Sequence, residues 1–389
     1  METILQKKLS IDKTKWTPVK FGEVVFEPKE SSKDPVADGI KHVVGLEHIE
    51  SKNIHLRKSE TLEESTTFTK KFGIGDVLFG RRRAYLRKAS QASFNGICSG
   101  DITVFRTKEN LMPELLPFVV NNEKFFDYAI KHSAGGLSPR VKFKDLANYE
   151  FLLPPKDQQT QLAKLLWAMD EVIEKEKLTL LSNITLLKSI QKNLFLDSVK
   201  VKFTEEFEML AGYSFKSADF TDKGFAVVKI KDIDEDSNIV KSEEITDFIK
   251  FDSKYDKYLL KENDILMGLT GAKSGNGYVG KLGVIKSQGK LYLNQRVAKI
   301  IPKRFPAVFT KLLLTSDIFL NEIWIRCNEG AQANISIEDI MKCPLPKVNA
   351  NEVEKLEEKS KLIFSSIEAN KLKIEYSKSL QKSLINQIF

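Results

Sequence analysis

The chain has 389 residues, with 61 Lys and Arg against 53 Asp and Glu, a formal charge of +8 and a pI near 9.0. A hydrophobic share of 42% excludes a wholly disordered chain, and the length predicts two or more domains. The mildly basic balance is compatible with a nucleic-acid partner.

Residues 1–153 are rich in short β-branched and aromatic runs bounded by Gly, Asn and Asp, as at 102–105, and such runs predict strands. The opening METILQKKLSIDKTKW lacks the apolar core of a signal peptide. Residues 154–197 change character. After Pro154-Pro155 they contain no Gly and no further Pro, and they are dense in Leu, Ile, Lys and Glu, which predicts one long helix. Residues 198–346 return to strand-like runs, at 227–230 and 297–301. Residues 347–389 follow Pro344 and Pro346 and again read as a long helix. No run of eighteen apolar residues occurs, so no membrane-spanning helix is expected. Cys98, Cys327 and Cys343 are odd in number and lack CxxC spacing. That argues against a disulfide scaffold and a zinc ribbon, and a reducing cytoplasm is the expected compartment.

The two halves repeat. VVGLEHIESKNI (43–54) matches VVKIKDIDEDSNI (227–239), and GDVLFG (75–80) matches NDILMG (263–268). KFKDLANYEFLLPP (142–155) answers SIEDIMKCPLPK (336–347), and KSIQKNLF (188–195) answers KSLINQIF (382–389) at an offset of 194. Both helices carry a seven-residue stripe. In the first it runs Leu166, Ile173, Leu180, Leu187, Leu194 beside Leu162, Met169, Glu176, Asn183, Ile190. The same offset gives Ser360, Ile367, Ile374, Gln381, Ile388 beside Leu356, Ile363, Asn370, Ser377, Leu384. This pattern predicts that the two helices pair as a coiled coil, with mid-helix polar residues fixing the register. Some 42 residues make a rod of roughly 60 Å, which favours a spacer role.

Positive charge clusters at matching repeat positions. Residues 70–88 hold seven basic residues against Asp76 alone, and residues 265–316 contain no acid. Both clusters follow the repeated Asp-aliphatic-Leu-x-Gly strand. Paired basic loops suit neutralisation of phosphates, with Arg, Asn, Gln and Thr reading base edges. The candidate contacts are Arg81, Arg82, Arg83, Tyr85, Arg87 and Lys88 in the first copy. In the second they are Thr270, Lys273, Ser274, Asn276, Tyr278, Lys281, Asn294 and Arg296. A second polar loop, HSAGGLSPR (132–140), supplies Ser138 and Arg140, and its counterpart NEGAQAN (328–334) supplies Gln332 and Asn334. Arg140 suits guanine, and Gln332 or Asn334 suits adenine.

Other motifs fail on context. GNGYVG (275–280) is followed by KLGVIK, which reads as a strand where a dinucleotide site needs a helix. The G-x-x-x-x-G-K match at 275–281 ends in Leu282, where a P-loop needs Ser or Thr. His42, His48, His55 and His132 form no H-E-x-x-H and pair with no cysteine at metal-ligand spacing, so no metal is expected. Ser99 lacks the G-x-S-x-G elbow, and Leu153-Pro154-Pro155-Lys156 is not the Asn/Asp-Pro-Pro-aromatic motif of amino-methyltransferases. Acidic pairs such as Glu63-Glu64 and Glu243-Glu244 read as solvated faces. No catalytic constellation emerges.

The whole pattern resembles the specificity subunit of type I restriction–modification systems. The resemblance covers essentially the full chain. It rests on GDVLFGRRRA (75–84), NDILMGLTGAKSGNGYVGKLGVI (263–285), LNQRVAKIIPK (293–303) and, above all, LLPPKDQQTQLAKLLWAMDEVIEK (152–175). The second helix entry, PLPKVNANEVEKLEEK (344–359), departs from the first: its Gln is replaced and its prolines are spaced apart. The resemblance implies an α+β fold, with two repeated target-recognition domains of small twisted sheets (1–153 and 198–346). It also implies two long antiparallel helices (154–197 and 347–389). Each domain would read one half of a bipartite, asymmetric double-stranded DNA site, mainly in the major groove. The helices would set the gap and dock two methyltransferase subunits, which would carry S-adenosylmethionine. A translocating restriction subunit would join for cleavage, and this chain would hold no cofactor and no catalytic residue. Two rivals are a coiled-coil structural adaptor with incidental basic loops, and an unrecognised nuclease or methyltransferase active on its own.

Overall fold

The computed structural model describes residues 11–62, 67–196, 198–234, 238–272, 279–287, 289–328 and 333–389. The chain forms two compact units. One comprises Met1–Glu176 with Lys373–Phe389, and the other comprises Lys177–Leu372. Each unit therefore contains a globular segment and a portion of both long helices, Lys156–Leu196 and Ala350–Ile388. The sequence-based division set each helix apart from the globular segments. The reason for the different division is that a lone helix has no core, and its apolar stripe must be buried on something.

In the first unit a five-stranded sheet has the order 25–26, 102–107, 77–80, 89–92, 55–56, beside a four-stranded sheet of 60–61, 42–44, 96–98 and 70–72. Strands Thr17–Lys20 and Glu150–Leu153 pair antiparallel and lead the chain into the first long helix. The second unit repeats this plan. Its six-stranded sheet runs 207–211, 297–302, 265–268, 282–284, 239–240, 233–234, and its antiparallel pair is Lys200–Lys202 with Pro344–Pro346. Parallel and antiparallel neighbours occur in both units.

The repeated motif at 75–80 and 263–268 has a structural cause. Gly75 and Asn263 both take positive φ, +88° and +69°, to turn the chain into a central strand. The following aspartate closes the turn: Asp76 accepts the Gly73 N–H at 2.7 Å, and Asp264 accepts the Lys261 N–H at 2.8 Å. Each also holds a cation from the neighbouring strand, Arg106 on Asp76 at 2.7 Å and Lys299 on Asp264 at 2.8 Å. Strands Val77–Gly80 and Ile265–Gly268 are then buried along their whole length. Phe79 stacks on Phe105 and Phe126, with ring centroids 5.4 and 5.6 Å away, and Phe125 meets its edge. A cluster of buried phenylalanines thus fixes the strand from which the first basic loop leaves.

The helices pair antiparallel within each unit. In the first, Gln381 reaches the Leu166 carbonyl and Lys373 meets Glu176 at 3.4 Å. In the second, Asn183 bonds Ser366 at 2.8 Å and Asn370 at 3.2 Å. Every position of the two predicted stripes is buried or half-buried. Apolar stripe residues join the core of the unit they lie in: Leu166, Leu384 and Ile388 in the first, Ile190, Leu194, Ile363 and Ile367 in the second. Among the described residues no helix is long and apolar enough to cross a membrane.

Candidate nucleic-acid interface

In the first unit the chain leaves Val77–Gly80 into Arg81-Arg82-Arg83 and a short 3-10 turn, Ala84–Leu86. Arg83 and Arg87 bracket that turn with φ of +53° and +49°. Left-handed conformations at non-glycine residues cost on the order of 1 kcal/mol each and persist only where neighbours hold them. Here the second predicted loop does the holding. Arg83 N–H donates to the Pro139 carbonyl at 2.8 Å, Val141 N–H donates to Arg81 at 3.0 Å, and Arg82 pairs with Arg140 in an antiparallel bridge. The two candidate surfaces, more than forty positions apart in sequence, thus form one ribbon.

The side chains of this ribbon converge on Asp101. Its Oδ1 accepts Arg140 Nε at 2.7 Å and its Oδ2 accepts Arg82 Nη1 at 3.2 Å. Ser138 Oγ accepts from Arg82 at 3.1 Å and Arg83 at 3.3 Å. Partial burial pushes the Asp101 carboxyl up, but the hydrogen bonds and charge of Arg140 and Arg82 outweigh it, and its pKa falls below the ordinary value. Tyr85, 52% exposed, stands at the tip of the turn. Two of the predicted contacts are otherwise engaged: Arg87 turns onto Asp127 at 2.8 Å and Lys88 donates to the Leu46 carbonyl at 2.7 Å. A third, Arg81, is half-buried, with its Nε enclosed and without a hydrogen-bond partner.

The second unit repeats the backbone and changes the side chains. Leu269 N–H donates to Arg296, as Arg81 N–H does to Asp101. Ile335 N–H donates to Leu269, as Val141 does to Arg81. Thr270 pairs with Asn334 where Arg82 pairs with Arg140. Lys281 and Asn294 correct the sequence-based expectation. Lys281 is buried, 5% exposed, and its ammonium reaches the Ile233 carbonyl, because it leads directly into the buried interior strand Leu282–Val284. Asn294 is 8% exposed and accepts the Arg296 N–H at 3.3 Å, so it builds the turn that presents Arg296. Ser99 does the same for Asp101 at 3.2 Å. Arg296 and Asn334 are exposed and Thr270 is half-buried. Lys273, Ser274, Asn276, Tyr278 and Gln332 lie outside the described residues.

Asp101 was missed by the sequence reading. The signal was present: aligned by the repeat, Ser99-Gly100-Asp101-Ile102 faces Asn294-Gln295-Arg296-Val297, a turn-former followed by a charge of opposite sign.

Two side-chain clusters among the described residues bring three metal-ligating atoms together, Glu47-His48-Glu60 and His55-Asp170-Glu174. In the second, His55 Nε2 bonds Asp170 at 2.6 Å and Glu174 pairs with Arg57, so these groups tie the first long helix to the globular segment. Gln159, 1% exposed, fastens the start of the same helix by donating to the Asn110 and Pro154 carbonyls and accepting the Met112 N–H. The three cysteines are free and buried. Burial pushes the Cys98 thiol up to about 12 and the Cys343 thiol up to about 11, far from a reactive thiolate.

A duplicated α+β unit, with a polar loop ribbon on each copy and an antiparallel helical pair, defines a recognition scaffold built twice. Residues 14–186 match the family model described as Type I restriction modification DNA specificity domain. The chain is 25% identical over 320 residues to the Type I restriction enzyme MjaVIII specificity subunit of Methanocaldococcus jannaschii, covering 75% of this chain and 73% of that one. It is 27% identical over 150 residues to the EcoDI specificity subunit of Escherichia coli, covering 37% of this chain and 33% of that one. The fold matches the crystal structure of the type I restriction–modification S subunit from M. genitalium with a TM-score of 0.61 at 14% identity, over 99% of this chain and 98% of that one. A chain from a structural study of type I system assembly and conformational transition matches with a TM-score of 0.54 at 18% identity, covering 96% of each. The chain is thus similar to the DNA specificity subunits of type I restriction–modification systems, through the specificity domain at residues 14–186 and through a fold shared over nearly its full length.

Proposed function

We propose that this chain reads a bipartite, asymmetric DNA site, one half-site per unit, and that the paired helices set the gap between the halves. The observation that carries the reading is the repeated ribbon: the same backbone hydrogen bonds hold Arg82, Asp101 and Arg140 in one unit and Thr270, Arg296 and Asn334 in the other. A constant scaffold with different hydrogen-bonding side chains is what reading two different base sequences requires. Arg offers a bidentate donor pair to guanine O6 and N7 in the major groove, and Asn does the corresponding job for adenine. The remaining exposed cations neutralise phosphates and give affinity without sequence preference.

In this reading the chain carries no chemistry of its own. Two methyltransferase subunits dock on the helical pair and bring S-adenosylmethionine, and a separate translocating restriction subunit joins for cleavage. The test is direct. Purified chain mixed with target DNA and S-adenosylmethionine transfers no methyl groups, and adding the methyltransferase subunit starts transfer at discrete sites. Transfer by the chain alone overturns the reading. A reconstituted complex that binds all DNA sequences equally would leave a structural adaptor in its place.

A further inference from the structure

We infer that Asp101 is a specificity-determining positioning residue: it holds the Arg140 guanidinium by Nε, so that the outer edge of that guanidinium reads a guanine in the first half-site. The inference rests on the DNA-reading function proposed above and names the base and the device.

The geometry separates the two faces of Arg140. Its side chain is 46% exposed, and its contact to Asp101 uses Nε alone, at 2.7 Å. Both terminal nitrogens are left for a ligand, and those two nitrogens form the fork that matches guanine O6 and N7. Arg82, 37% exposed, is committed differently. Its two terminal nitrogens already serve Asp101 and Ser138. Arg82 therefore packs the other side of the carboxylate and neutralises it, while Arg140 is the reader. Asp101 itself cannot drift. Its N–H is held by Ser99 Oγ and its carbonyl accepts Arg81 N–H at 3.0 Å.

The second unit supplies the contrast. On the equivalent turn, held by Asn294 in place of Ser99, stands Arg296, and the ribbon beside it carries Thr270 and Asn334. Arg296 is exposed, and no carboxylate among the described residues pairs with it. The acid that orients a reader in the first unit is thus replaced in the second by a cation that faces the ligand itself. The two half-sites are read by the same piece of backbone with its charge reversed.

The experiment uses the full chain assembled with its methyltransferase subunits and a randomised DNA library, with the bound pool sequenced. The wild-type complex must first return two half-sites; if it returns none, the DNA-reading function has failed and not this inference. Given those half-sites, Asp101→Asn lowers the preference for guanine at one position of one half-site by roughly tenfold, the discrimination expected of one bidentate contact. Affinity for non-specific DNA does not fall with it, because a negative charge has been removed. Asp101→Glu restores part of the preference. Arg140→Lys keeps the charge, loses the fork, and loses preference at the same position. If Asp101→Asn melts early, the Arg140→Lys result decides alone. Retention of wild-type base preference at every position by Asp101→Asn and Arg140→Lys overturns the inference, as does a loss spread evenly over both half-sites.

Discussion

At the scale of single residues, two aspartates one strand apart do opposite work. Asp76, 3% exposed, is a structural anion that closes a turn and anchors Arg106. Its removal takes the buried partner from Arg106, which keeps only the more exposed Glu30, and opens the turn at Gly73, a combined loss of roughly 2–3 kcal/mol. Asp76→Ala should therefore lower the denaturant midpoint markedly while leaving base preference in any surviving complex unchanged; a stability change under about 1 kcal/mol would contradict this placement. Asp101, half-buried beneath the ribbon's arginines, acts on the reader instead. The sequence made the difference hard to see. Asp76 belongs to a motif that both halves share, whereas Asp101 shows only when the repeat alignment sets it against a residue of opposite charge, Arg296. The arginines were legible because charge density marks them. Which arginines are free was not, because Arg87 and Lys88 find their partners Asp127 and Leu46 only through tertiary contacts.

At the scale of elements, the long helices were the most legible feature, since a seven-residue apolar period survives in sequence without knowledge of the fold. The pairing partners were not legible. An offset of 194 aligns Asn183 with Ser377, but the antiparallel arrangement sets Asn183 against Ser366 and Asn370. The two-strand ribbon was invisible for a related reason: strand pairing between 82 and 140, or 270 and 334, depends on long-range register. The helical pairing carries a prediction about spacing. One heptad inserted beside Asn183 and one beside Asn370 keeps the polar contact next to an unbroken seam and lengthens the pair by about 10 Å. At about 3.4 Å per base pair that is roughly three base pairs of added gap. The same step rotates one half-site by nearly a third of a duplex turn of about 10–10.5 base pairs, so some affinity is lost even on the best new site. Methylation mapping of this variant should return unchanged half-sites with a longer gap. A fully active variant that keeps the original gap would move control of spacing to the globular segments. Four-residue insertions displace the seam and should depress the melting temperature more than the heptads do.

At the scale of the whole molecule, two copies of one scaffold recognise two different half-sites. The repeated order of the central strands, the matched turns at Ser99 and Asn294, and the exchanged side chains at 82, 101 and 140 against 270, 296 and 334 all bear on it. The measurement that tests it most directly is methylated-site mapping in cells carrying the methyltransferase subunit and either the natural chain or a chimaera. In the chimaera, residues 20–150 are replaced by the corresponding segment of a related specificity subunit. The natural chain should give a two-part methylated site. The chimaera should give one new half, with the other half and the gap unchanged. A chimaera in which both halves change, or in which neither does, would contradict it.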